Sequence, residues 1–93
     1  MPEVRIKLFA SIRQVFEENE ILIEVPRLSN IRELLELICN TYERRQRIFD
    51  HFGQIRPHIT ILKNGRHIDF LSGFETQLEE GDQISIFPLI CGG

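Results

Sequence analysis

The sequence predicts an α+β domain: a mixed sheet with one main helix packed on one face. Three observations carry that expectation. Val4-Arg5-Ile6-Lys7-Leu8 alternates apolar and charged residues, the pattern of a half-buried strand. Ile31, Leu34, Leu35, Ile38 and Tyr42 follow helical spacing, giving a single apolar stripe. Asn64-Gly65 stands between a β-branched run and a short return segment, a hairpin signal because a type I′ turn needs positive φ at both central residues. One long helical pattern among several strand patterns fits two layers, helix on sheet.

In chain order, Val4, Ile6 and Leu8 of the first strand face the core, and Phe9-Ala10 close it. Ser11 is positioned to cap a short helical turn through Phe16, and Glu17 to Glu20 form a polar connection. Ile21 to Val25 alternate as a second strand, antiparallel to the first, and Pro26 ends it. Asn30 and Glu33 have the spacing of a capping box at the start of the main helix. That helix is predicted to run unbroken to about Arg47. Arg44, Arg45 and Arg47 fall in its last turn, where cations complement the helix dipole, and read as a solvated helix end. Phe49 and Phe52 are expected to fold back on the core, with Gly53 permitting a turn. His58 to Lys63 is the third strand and Arg66 to Ile68 its return partner. Leu78 points inward from a loop, Glu79-Glu80-Gly81-Asp82 reads as a solvated turn, and Gln83 to Phe87 is the last strand. Pro88, lacking an N–H, is expected to stop it. The predicted core comprises Val4, Ile6, Ile23, Leu34, Leu35, Ile38, Ile84 and Ile86.

Composition narrows the function classes. A chain of 93 residues with 42% hydrophobic and 27% charged residues forms one domain with one modest core. A net charge of −3 argues against nucleic-acid binding by bulk electrostatics. No apolar run approaches a membrane span, and charges at Glu3, Arg5 and Lys7 interrupt any signal-peptide core. Two cysteines, Cys39 and Cys91, make no disulfide framework, so the expected compartment is cytoplasmic.

Side-chain chemistry is sparse. His51, His58 and His67 are scattered and make no metal-ligand spacing with the cysteines, so no metal or bound cofactor is expected. There is no phosphate loop, dinucleotide fingerprint or nucleophile elbow. Cys91 has no neighbouring cation in sequence to lower its pKa and reads as a small tolerated residue. The distinctive group is the terminal carboxylate of Gly93. Residues 1–88 read as the domain and 89–93 as a flexible tail, Leu89-Ile90-Cys91-Gly92-Gly93, reaching at most about 16–18 Å beyond it. Without Cβ atoms, Gly92 and Gly93 suit a narrow channel in a partner. If Ile84 and Ile86 point inward, Phe87 points to the opposite face, where with Leu62 it is expected to form an apolar partner-binding surface.

These pieces together resemble the MoaD/ThiS family of ubiquitin-like sulfur carriers. The resemblance spans the chain: Val4 to Ala10, Asn30-Ile31-Arg32-Glu33-Leu34-Leu35, Lys63-Asn64-Gly65, Thr76-Gln77-Leu78, Glu80-Gly81-Asp82, and Phe87-Pro88 through Gly92-Gly93. It implies the ubiquitin-like β-grasp fold. It also implies that an E1-like adenylating enzyme uses ATP to activate the carboxylate of Gly93, which then becomes a thiocarboxylate. The molybdopterin synthase large subunit would be the partner that takes the tail, in molybdenum cofactor biosynthesis. Many small subunits of that enzyme carry two prolines where this chain has Pro88-Leu89, and a small residue where it has Cys91. Archaeal members include small modifiers joined to lysines of target proteins through the same Gly-Gly, which is the alternative role.

Overall fold

The computed structural model describes residues 1–89. The chain runs β1 (Glu3–Leu8), α1 (Ala10–Phe16), β2 (Glu20–Glu24), α2 (Ile31–Ile38), α3 (Tyr42–Ile48), β3 (Ile59–Lys63), β4 (Arg66–His67) and β5 (Gln83–Pro88), with two 3-10 turns at Ile68–Phe70 and Gly73–Glu75. The strands lie in the order β2-β1-β5-β3-β4. β1 and β5 are central and parallel, and every other pair is antiparallel. This is the topology of the β-grasp.

Alternation fixes which face of the sheet is buried. Val4, Ile6 and Leu8 of β1, Ile61 of β3, and Ile84 and Ile86 of β5 turn inward and join Ile31, Leu34, Leu35 and Ile38 of α2 in one core. Each such side chain contributes roughly 1.5–3 kcal/mol when fully buried. Ile23, expected in this core, is only half-buried, because β2 is an edge strand with no neighbour beyond it. The α2 capping box forms as the spacing required: Asn30 Oδ1 accepts from the Glu33 N–H, and Glu33 Oε1 accepts from the Asn30 N–H.

The main helix is not continuous. α2 stops at Ile38, and Thr41 caps a separate helix by accepting from the Arg44 N–H at 3.1 Å. Asn40 and Thr41 are residues whose short polar side chains compete with helical backbone bonds, and they divide the stripe. Tyr42, expected on that stripe, is therefore 74% exposed, while Ile48 and Phe49 are buried instead. The arginines are not simply a solvated end. Arg44 donates to the carbonyls of Phe16 (2.9 Å) and Ile38 (3.4 Å), tying the ends of α1 and α2 to α3. Arg45 bonds Glu36 at 2.7 Å and lies over the Phe49 ring, and Arg47 stays exposed.

Three turns also differ from expectation. Ser11 lies inside α1 rather than capping it, and the carbonyl of Phe9 accepts from the N–H groups of Ile12 and Arg13. Phe52 is 87% exposed at the tip of a turn whose N–H groups at Phe52 and Gln54 bond the Asp50 carboxylate. Asp82 is buried, not solvated. It accepts from the Asn64 carboxamide (2.9 Å) and the Glu79 N–H (2.7 Å), fastening the last turn to the β3–β4 hairpin. That hairpin has positive φ at both Asn64 and Gly65, as the dipeptide signalled.

Candidate functional site: the exit of the last strand

β5 carries the chain out of the sheet. Pro88, expected to stop the strand, is its last residue, opposite Ile59 of β3. Its missing N–H falls on the side of β1, because Gln83 and Leu89 bond toward β3 while Asp82 and Ile86 bond toward β1. The β3 ladder therefore continues, with Leu89 donating to the His58 carbonyl at 2.6 Å. Leu89 is 54% exposed. Ile90, Cys91, Gly92 and Gly93, singled out in the sequence, lie outside the described residues.

Beside this exit, the face turned away from the helices carries an apolar depression of about 340 Å³ lined by Phe9, Leu62, Ser85 and Phe87. Register explains its composition. Leu62 lies opposite Ser85, and Phe87 follows Ser85 by two, so all three share the outer face. Phe9 arrives from the other side. Because β1 and β5 are parallel, their C-terminal ends coincide, and the Phe9 N–H extends the ladder to the Ile86 carbonyl at 3.2 Å. The Phe9 and Phe87 rings then meet edge to face, with centroids 6.1 Å apart and planes at 89°. Such pairs contribute about 0.5–1.5 kcal/mol beyond area burial, enough to hold both rings in place on an open face.

Phe87 and Leu62 are brought together as the alternation implied. Phe9 was not singled out, because its position depends on a pairing between the two ends of the chain. The depression carries no charged lining residue. It can take apolar side chains of another protein but supplies no acid, base or nucleophile.

The rest of the body is chemically quiet. Among the described residues no group of His, Cys, Asp and Glu could hold a metal ion. The Cys39 thiol is pushed up from 9.0 to about 12, chiefly by burial, and stays protonated at neutral pH. His67 Nδ1 accepts from the Asp69 N–H, a local turn bond. Among the described residues no helix is long and apolar enough to cross a membrane.

The model of the ThiS family matches residues 6–93, nearly the whole chain and through its last glycine. The chain belongs to the ThiS family. Two relatives of this ThiS-family chain are each 31% identical to it over 91 residues. Small archaeal modifier protein 3 of Haloferax volcanii matches across 98% of this chain and 99% of its own length. A protein of Archaeoglobus fulgidus provisionally named a sulfur carrier protein matches across 97% and 98%. Among solved structures, that of small archaeal modifier protein 1 from Methanosarcina acetivorans superposes with a TM-score of 0.85 at 30% identity, covering 100% of this chain and 98% of its own. The β-grasp of this ThiS-family chain is thus shared with small modifiers.

Proposed function

We propose that the chain is a sulfur carrier whose working group is the carboxylate of Gly93. An E1-like enzyme docks on the Phe9–Leu62–Phe87 surface and receives the tail beyond Leu89. One oxygen of the Gly93 carboxylate attacks the α-phosphorus of ATP, an O–P bond forms, and pyrophosphate leaves. A sulfur nucleophile such as hydrosulfide then attacks the carbonyl carbon. A C–S bond forms, the C–O bond to AMP breaks, and AMP leaves with its electron pair. The resulting thiocarboxylate donates sulfur in a second partner, for which we assign the molybdopterin synthase large subunit. ATP is consumed by the activating enzyme, the carrier itself holds no cofactor, and the setting is the cytoplasm. The observation that carries this reading is the apolar surface at the exit of β5, beside a family match that extends through Gly92-Gly93.

A second reading uses the same activated group with a lysine amine as acceptor, making the chain a protein modifier. Full-length likeness to small archaeal modifier protein 3 favours it. ATP–pyrophosphate exchange with the cognate E1-like enzyme tests the shared step. Deleting Gly93 is expected to abolish exchange with no change in Tm, and unchanged exchange would remove the tail carboxylate from the mechanism. Intact mass of protein from its native source separates the readings: exchange of one oxygen for sulfur supports the carrier, and covalent adducts on other proteins support the modifier.

A further inference from the structure

Lys7 and Lys63 are the only lysines in the chain, and nine of its eleven cationic side chains are arginines. A guanidinium does not accept acyl groups under conditions where a lysine amine does. Both residues are half-buried, and the two amines differ in what holds them. Lys63 Nζ donates to the Gln77 carbonyl at 2.8 Å and lies 3.4 Å from Asp82 Oδ2 and 3.5 Å from Glu79 Oε1. Its side chain is only 14% exposed, and Asp82 is itself buried and held by Asn64 and Glu79. Releasing Lys63 would leave the buried Asp82 carboxylate short of its cation.

Lys7 lies on the outer face of β1, between Glu20 of β2 and Ser85 of β5. The neighbouring carboxylate is already engaged, since Glu20 pairs with Arg5 at 3.6 Å. Among the described residues Lys7 makes no ion pair.

We propose that Lys7 is the one side chain of this protein that accepts an acyl group from an activated carboxylate, and that Lys63 is closed to it. This rests on the reading that Gly93 is activated by adenylation. In a self-conjugation between two copies, the Lys7 nitrogen of one attacks the Gly93 carbonyl carbon of the other. A C–N bond forms, the C–O bond to AMP breaks, AMP leaves with the electron pair, and the nitrogen loses its proton to solvent. Chains of this protein are therefore linked through a single position. Lys7 also faces Ser85, part of the floor of the apolar depression, so a partner seated there covers the acceptor.

Two measurements test the proposal. The first needs no partner: the wild-type protein is treated with the N-hydroxysuccinimide ester of acetate, and each site is followed by peptide mass spectrometry. Lys7 is expected to react about tenfold or more faster than Lys63, which must first be released by local opening. Comparable rates would overturn the proposal whatever the protein does. The second incubates wild type, Lys7→Arg and Lys63→Arg with the E1-like enzyme and ATP. A self-adduct is expected with wild type and Lys63→Arg and not with Lys7→Arg. An adduct that persists in Lys7→Arg, or no adduct with wild type while pyrophosphate exchange proceeds, would overturn it. Absence of exchange would instead overturn the activation reading.

Discussion

Arg44 Nη2 donates to the carbonyl of Phe16 at 2.9 Å, and the same guanidinium sits 4.7 Å from the centre of the Phe16 ring. The carbonyl is an open acceptor at the end of α1, and the arginine that closes it belongs to α3. Its other contacts reach the Ile38 carbonyl and Asn40, where α2 gives way to α3.

Arg44→Ala is therefore expected to destabilise the fold by about 1.5–3 kcal/mol, the range for hydrogen bonds to a charged group. Arg47→Ala, at an exposed position, is expected to stay within about 0.5 kcal/mol. Urea titration of both variants checks the contrast, and equal midpoints would remove Arg44 as the tie between the three helices.

Phe9→Ala and Phe87→Ser are each expected to weaken affinity for the E1-like partner by about 2 kcal/mol or more, as truncation of aromatic anchors does. Calorimetric titration with the partner reads the effect, and circular dichroism checks that the fold persists. Wild-type affinity in both variants would mean that the depression is not the docking surface.

Cys39 gives a pH prediction. Its folded pKa is about 12 against an ordinary 9.0, so above pH 9 the unfolded chain releases a proton that the folded chain keeps. Stability is accordingly expected to fall as pH rises from about 9 toward 12. Cys39→Ala should show a shallower decline over that window, measured by urea unfolding at several pH values. Parallel declines would mean that Cys39 does not drive the loss.

Much of the fold was legible because short-range rules decide it. The alternation in β1 and β5, the Asn30–Glu33 box and the Asn64-Gly65 turn need no knowledge of distant residues. The break after Ile38 was hidden because Tyr42 falls in phase with the α2 stripe, so periodicity continues where the helix does not. Asp82 was misread because its partner Asn64 lies across the sheet on another hairpin. Phe52 looked like core by composition, but the Asp50 turn points it outward. At the candidate site, Phe87 and Leu62 followed from strand alternation. Phe9 required knowing that β1 and β5 are parallel neighbours, a pairing of the two ends of the chain.

That pairing has a consequence for the order of folding. β5 comes after β1 and β3 in the sequence, yet it lies between them, and the two cannot join into one sheet until it is in place. Contacts spanning almost the whole chain are slow to form, because loop closure must precede them. A chain cut before Gln83 keeps the β1–β2 and β3–β4 pairs but lacks the strand that unites them.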